Sequence, residues 1–219
     1  MQLQTYFPIY DQMTPAQQEL LRRTVISRRI PAGTVVHNGS LDCSGLLIVC
    51  SGQLRAYILS DEGREITLYR LFEHDSCLFT ASCMLKSIQF EVTIETEKET
   101  EVLTIPPHIF NQLMQQSLPM ANFVNELMAS RFSEVMWLME QVMWKSFDKR
   151  LALFLVEESR LEGTRVLKMT HEKIANHMGT AREVVTRMLR YFQSENLVKL
   201  TRGAIELMDP DRLEEMSEA

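Results

Sequence analysis

From residue 30 to residue 105 the apolar positions come in short runs separated by turn clusters, and from about residue 120 they recur every three or four positions. The first pattern predicts strands and the second helices, because side chains alternate across a strand but return to one face of a helix about every 3.6 residues. Pro31-Ala32-Gly33, Asn38-Gly39 and Asp61-Glu62-Gly63 are the turn clusters. Leu46-Leu47-Ile48-Val49-Cys50 reads as a buried strand, with a bend at Gly52. Residues 54–60 and 65–71 flank Asp61-Glu62-Gly63 as a hairpin, and 91–97 with 101–105 form a second pair around Lys98-Glu99. Strands at this spacing predict a sandwich or small barrel. Ahead of them, Thr14 before Pro15 predicts a capped helix start, with Leu20, Leu21, Val25 and Ile26 as its packing face.

Pro106-Pro107 ends the strands, and beyond Leu118-Pro119 a helical pattern covers 120–144. Val124, Leu127, Met128, Val135, Leu138 and Val142 recur at mixed three- and four-residue steps, with Met136, Met139 and Met143 beside them. That stripe is wider than one contact face requires. The helix either lies on its own barrel alone or packs on the barrel with one side and on a second copy of itself with the other. The second reading is favoured, because residues 170–192 have the pattern of a helix-turn-helix, and such a motif usually works as a dimer with half-sites roughly 34–36 Å apart. The six residues are then the expected interface.

Residues 144–148 read as a hinge, 150–160 as a helix with Leu151, Leu153, Phe154 and Leu155 inward, and 166–169 as a short strand. The stretch 170–192 reads as a helix-turn-helix. Thr170 can cap a first helix whose inner face is Ile174, Ala175 and Met178. Gly179 tolerates the positive φ that a helix end and tight turn need. Thr180, with Glu183 three positions on, has the pattern of a capping box, which predicts a second helix over 180–192. Val185, Met188, Leu189 and Phe192 make its apolar face, and Arg182, Glu183, Thr186, Arg187 and Arg190 lie opposite. Leu197-Val198-Lys199-Leu200 and Ala204-Ile205-Glu206-Leu207, joined by Thr201-Arg202-Gly203, predict a β-hairpin wing.

The exposed row carries the chemistry. A helix fits the major groove of double-stranded DNA, where Arg bonds guanine O6 and N7 and Glu accepts from cytosine N4. Arg182 and Glu183 sit at the end of the helix that reaches base edges, with Arg187 further along the same side. Lys199 and Arg202 on the wing are placed for phosphate, which adds affinity without sequence information. Thr170, Thr180, Thr186 and Arg190 complete the expected DNA-binding set. Ordinary surface charge is the bland alternative, but the preceding helix, the glycine and the cap all agree with a reader.

The net charge of −6 over 219 residues looks wrong for a DNA binder until it is divided. Residues 145–219 balance, so 1–144 carry the whole excess. Within 165–203 eight bases (Arg165, Lys168, Lys173, Arg182, Arg187, Arg190, Lys199 and Arg202) face three acids (Glu172, Glu183 and Glu195). The basic footprint is local. An apolar share of 45 % suits a folded chain of two small domains. No run approaches a membrane span, and Met1-Gln2-Leu3-Gln4-Thr5 lacks a signal pattern, so a cytoplasmic protein is expected. Cys43, Cys50, Cys77 and Cys83 are accordingly expected as thiols.

The order barrel, long helix, hinge and winged helix resembles the Crp/Fnr family of bacterial transcription regulators over nearly the whole chain. Its most specific carriers are Gly179-Thr-Ala-Arg-Glu-Val-Val-Thr-Arg-Met-Leu and Tyr191-Phe-Gln-Ser-Glu-Asn-Leu-Val, with a weaker match at Asn38-Gly39 and 46–52. The resemblance implies an α+β fold. An antiparallel jelly-roll barrel of the cyclic-nucleotide-binding type, sensing an effector, occupies 1–118, a dimerisation helix 119–144 and a winged helix-turn-helix 145–219. It also implies a homodimeric regulator, not an enzyme, whose Arg182, Glu183 and Arg187 read a palindromic operator and which contacts RNA polymerase.

The sensor departs from the best-known members. Cyclic-nucleotide binders carry a Gly-Glu pair and a later Arg-Ser or Arg-Thr, yet this chain has neither glycine nor arginine between Asp75 and Val92. A buried cyclic phosphate without its arginine is unpaired, at a cost of several kcal/mol, which argues against cyclic AMP. No cysteine precedes Cys43, which argues against the N-terminal iron–sulfur cluster of the oxygen-sensing branch. Cys77 and Cys83 lack a zinc spacing and a completing histidine, and His74 reads as a solvated loop residue rather than a metal or haem ligand. Both thiols read first as small buried hydrophobes. The sharper alternative is an effector pocket of Cys77, Leu78, Phe79, Cys83, Met84 and Phe90, suited to an apolar or aromatic molecule or to redox sensing by the thiols.

Two other classes fit less well. A regulatory module acting only on protein partners leaves the arginine row without a role. A cupin-like enzyme needs clustered metal ligands, and His37, His74 and His108 are scattered.

Overall fold

The computed structural model describes residues 3–39, 43–84 and 91–218, and for 82–84 the backbone alone. Phe90 and the side chains of Cys83 and Met84 therefore lie outside the described residues. The chain opens with α1 (Leu3–Tyr6), a 3₁₀ turn at Tyr10–Gln12 and α2 (Pro15–Thr24). Thr14 caps α2 as expected, and Gln17 completes a reciprocal box that the sequence reading did not anticipate.

Among the described residues eight strands follow: β1 (Ile26–Ile30), β2 (Val35–Asn38), β3 (Leu46–Ser51), β4 (Leu54–Leu59), β5 (Glu65–Leu71), β6 (Ser76–Cys77), β7 (Thr93–Thr96) and β8 (Thr100–Ile105). They form two four-stranded sheets, ordered β1-β8-β3-β6 and β2-β7-β4-β5. Strand alternation then divides the apolar residues between two cores. On β3, Leu47 and Val49 point inward to meet Leu54, Ala56, Tyr69, Leu71 and Ile94 of the facing sheet. Leu46, Ile48 and Cys50 point outward to meet Phe7, Leu21, Phe110, Met120 and Val124 from the flanking helices. That two-sided demand is why 46–50 is apolar at every position.

One expected pairing is corrected. β7 and β8 do not form a hairpin: β7 pairs with β2 and β4, and β8 pairs with β1 and β3. The Lys98-Glu99 link is a corner between sheets. Thr100 holds it there, its hydroxyl accepting from the Gln53 N–H at 3.0 Å at the matching corner before β4.

The strands give way to α3 (Pro107–Gln116) and α4 (Leu118–Trp144), a helix of 27 residues. Next come α5 (Phe147–Glu162), β9 (Val166–Leu167), α6 (His171–Met178), α7 (Arg182–Ser194), β10 (Val198–Thr201), β11 (Ala204–Leu207) and α8 (Pro210–Glu218). A third core joins Leu151 and Leu155 of α5, Ile174 and Met178 of α6, Val185, Leu189 and Phe192 of α7, Ile205 of β11 and Leu213 of α8. The chain forms two compact units, Met1–Leu59 with Leu68–Val135, and Ser60–Thr67 with Met136–Ala219. Among the described residues no helix is long and apolar enough to cross a membrane.

Candidate nucleic-acid interface and sensor interior

The motif begins at Thr170, whose hydroxyl accepts from the Lys173 N–H at 3.1 Å and starts α6. Gly179 ends that helix at φ 67°, the left-handed conformation expected of it. The start of the second helix differs from expectation. Ala181, not Thr180, is the N-cap of α7, and no side chain caps it, so the box between Thr180 and Glu183 does not form. Thr180 instead donates its backbone N–H to the Ala175 carbonyl at 3.1 Å, spending that residue on closing α6. The first-turn N–H groups of α7 are thereby left without a side-chain cap, a setting that favours anions.

Val185, Leu189 and Phe192 are fully buried under α7, and Met188 packs beside them. The opposite side is open: Arg182, Glu183, Arg187 and Arg190 are exposed and Thr186 is half-buried. Arg182, Thr186 and Arg190 recur every four positions and make one row, flanked by Glu183 and Arg187. Beneath the centre of that row stands His171, the first residue of α6, with Nδ1 2.8 Å from the Thr186 hydroxyl. Burial pushes its pKa below the ordinary histidine value, and the positive charges of Arg182 and Arg190 push it the same way. The sequence reading missed His171, because a lone histidine at a helix start carries no signal until the neighbouring helix is placed.

The wing forms as expected, β10 pairing antiparallel with β11 and β11 with β9. Lys199 and Arg202 are both exposed. Lys199 stands opposite Glu206 across the hairpin, 3.8 Å from its carboxylate. Segment Ser60–Thr67, the tip of the β4–β5 hairpin, belongs to this second unit. Ile66 bridges to Met178, and the Thr67 hydroxyl lies 2.9 Å from His177 Nδ1.

Of the expected pocket residues whose side chains are described, Cys77 and Phe79 share one interior and Leu78 does not. Cys77 is fully buried among the inner-core residues, and Phe79 stacks on Tyr69 with ring centroids 6.2 Å apart. Leu78 faces the other way, into the core under the helices, and does not share that interior. Burial pushes the Cys77 thiol up, against the pull of N–H groups from Thr80 and Phe79. Arg131 of α4 lies over the Tyr69 ring, 4.6 Å from its centre, with Glu134 at 2.7 Å and Asp75 at 3.4 Å. Burial works against that charge, and the hydrogen bond and charge of Glu134 more than restore it. Cys50 and Cys77 are free, whereas Cys43 is disulfide-bonded, which corrects the expectation of thiols at all four positions.

Of the six expected interface residues, Val124 is spent on the chain's own core, and Leu127 packs against the same core. Val135 and Leu138 are half-buried, and Met128 and Val142 are exposed. Exposed beside them, and absent from the expected set, are Phe132, Met136, Trp137, Met139, Met143 and Trp144. Among the described residues no three His, Cys, Asp or Glu side chains stand close enough together to hold a metal ion.

Known proteins match this chain along both units. The cyclic nucleotide-binding domain matches residues 27–117, and the Crp-like helix-turn-helix domain matches 149–216. The Cyclic AMP receptor protein of Thermus thermophilus is 24 % identical over 96 % of this chain and 96 % of its own. The transcriptional activator protein Anr of Pseudomonas protegens is 29 % identical, over 75 % of this chain and 69 % of its own. A crystal structure of a Crp/Fnr-family transcriptional regulator from Eubacterium rectale is 59 % identical, with 98 % of this chain and 100 % of that one covered at a TM-score of 0.97. An exposed, arginine-bearing helix on a winged scaffold, the two-sheet barrel before it and these likenesses lead to one statement: the chain belongs to the Crp/Fnr family of transcription regulators, with a DNA-binding helix-turn-helix and a cyclic-nucleotide-binding-like sensor.

Proposed function

We propose that this protein is an effector-controlled regulator that reads a palindromic operator as a homodimer. Each copy lays α7 in a major groove and its wing on the backbone beside it. The observation that carries the reading is the row on α7. Arg182, Glu183, Arg187 and Arg190 stand open, with Thr186 half-buried among them, on a helix whose other face fills a core. Residues 1–118 act as sensor, 119–144 as dimerisation helix and 145–219 as reader. Once on its operator, the dimer engages RNA polymerase, a partner the family resemblance supplies.

The sensor takes an effector other than cyclic AMP. The cationic side chain on Tyr69, Arg131, is already matched by Glu134 and Asp75, so a cyclic phosphate there meets net negative charge. The effector shifts the equilibrium between two arrangements of barrel and α4, and so the spacing of the two readers.

Selection of bound duplexes from a random double-stranded pool, followed by gel shift, tests the reading. Arg187→Ala should weaken the selected duplex by about 1–3 kcal/mol and relax base preference at one position per half-site. An equal loss on all sequences assigns Arg187 to phosphate instead, and recovery of no duplex at all removes the DNA reading.

A second reading is favoured by one observation, the disulfide at Cys43. The next two residues, Ser44 and Gly45, both donate their N–H groups to the Thr80 carbonyl, at 2.9 and 3.1 Å. A change in the oxidation state of Cys43 is thus tied to the turn that follows β6. Where disulfides occur in a reducing compartment they are commonly redox-sensing. In this reading reduction changes affinity for the selected duplex in the native protein and not in Cys43→Ser. Equal binding with and without dithiothreitol rejects it.

A further inference from the structure

His171 is half-buried beneath the reading row, against the half-buried hydroxyl of Thr186 at its centre. We infer that His171 takes up a proton when the reader engages a duplex, so that the protein binds DNA more tightly as the solution is made more acidic. The inference rests on the DNA-reading function proposed above.

The geometry comes first. Thr186 lies at the centre of the row, one turn from Arg182 and one turn from Arg190, and His171 Nδ1 reaches its hydroxyl at 2.8 Å. The charges that act on the ring are Arg182 and Arg190, both from α7 and both positive. On its own helix the chain neighbours are Glu172 and Lys173, exposed and of opposite sign. In the free protein the ring is therefore held neutral by partial burial and by two guanidinium groups. A duplex changes both neighbours at once, because its phosphates and guanine edges take up the arginine charge and bring negative charge of their own. The cationic ring is then favoured where it was disfavoured, and the proton comes from solvent.

Protonation also changes what Thr186 offers. In the neutral ring Nδ1 either accepts from the hydroxyl or donates to it, depending on the tautomer. In the cation both ring nitrogens donate, so the Thr186 oxygen must accept from Nδ1. Its own hydrogen is then released toward the groove, where it can reach a phosphate oxygen or a base acceptor. His171 is thus a positioning residue for a DNA-facing hydroxyl as well as a carrier of charge.

The sign follows from linkage. The free-state pKa lies below the ordinary value of 6.5, and the negative charge that a duplex brings sets the bound-state pKa above the free one. Affinity rises as pH falls through the bound value and levels off below the free value, by about tenfold per half-site for each pKa unit that DNA adds.

The test uses the full-length protein and a duplex recovered from the random pool. Anisotropy titrations from pH 5.5 to 8 should show the wild type weakening with pH, and His171→Gln, which keeps a polar side chain but cannot ionise, losing that slope. Proton NMR of the histidine Cε1–H signals, assigned by the one missing in His171→Gln, should show the His171 pKa rising when the duplex is added. A wild type that binds the duplex equally well across this range overturns the inference, as does an unmoved or lowered pKa on binding. Should no duplex be recovered, the DNA reading itself has failed, which is a different result from either.

Discussion

Gly179 joins the two helices of the reader at φ 67°, with Ile66 close on the side where a Cβ would stand. A side chain there meets the Ile66 Cδ1 at 3.0 Å and also forces an L-residue into left-handed backbone, so two penalties coincide. The backbone term alone is about 1–2 kcal/mol. Gly179→Ala should therefore lower the unfolding free energy by at least about 1–2 kcal/mol, read from the midpoint of urea denaturation followed by circular dichroism. An unchanged midpoint means the turn relaxes to a right-handed conformation, and the joint is then not the fixed corner described here. The same scale shows where residue-level signals mislead. Thr180 and Glu183 have the spacing of a capping box, but the tight turn takes up Thr180 in closing α6, and the cap position passes to Ala181. Spacing records which side chains could meet, and the backbone of the preceding turn decides whether they do.

At the scale of elements, most of the reader and several strand segments were legible because one face of each element is buried and the period shows it. α7 is the clearest case, with Val185, Leu189 and Phe192 inward and five polar residues outward. Legibility fails where a signal has two meanings. Pro106-Pro107 reads as a strand terminator, yet Pro107 is also the first residue of α3, a position that proline favours. Asp209-Pro210 likewise opens α8, with Asp209 accepting from the Arg212 N–H at 3.1 Å. Long-range choices fail for another reason. β7 and β8 are adjacent in the chain and each alternates properly, but adjacency cannot tell a hairpin from a corner between two sheets. The pairing of β7 with β2 and β4 and of β8 with β1 and β3 decides it, with Thr100 bonded to Gln53 at the corner. The sensor interior is the least legible part, because Cys77 at the end of β6 and Leu78 just beyond it are consecutive yet fall in different cores.

At the scale of the whole molecule the open question is what covers α4. Met120, Val124 and Leu127 face the chain's own core, which uses one side of the helix. Met128, Phe132, Met136, Met139 and Met143 recur at steps of four, four, three and four, and so form a single stripe on another side. Phe132 is 67 % exposed and Met143 66 % exposed, a density of large apolar side chains that a lone soluble chain rarely leaves to water. One straight stripe is self-complementary under a two-fold rotation, since the same residues meet their own copies along the axis. The sequence reading set this interface on Val124, Leu127, Met128, Val135, Leu138 and Val142; Met128 lies on the stripe, whereas Val124 and Leu127 serve the chain's own core. Replacing Phe132 and Met139 together with Glu places four like charges in such an interface and touches no core residue. The variant should keep its helical circular dichroism, run as a monomer in light scattering coupled to gel filtration, and bind the selected palindrome about 10²–10⁴-fold more weakly, the gain that linking two half-site readers supplies. A variant that remains dimeric places the contact elsewhere, and a monomeric variant that keeps full affinity would mean the two half-sites are read without any link between the copies.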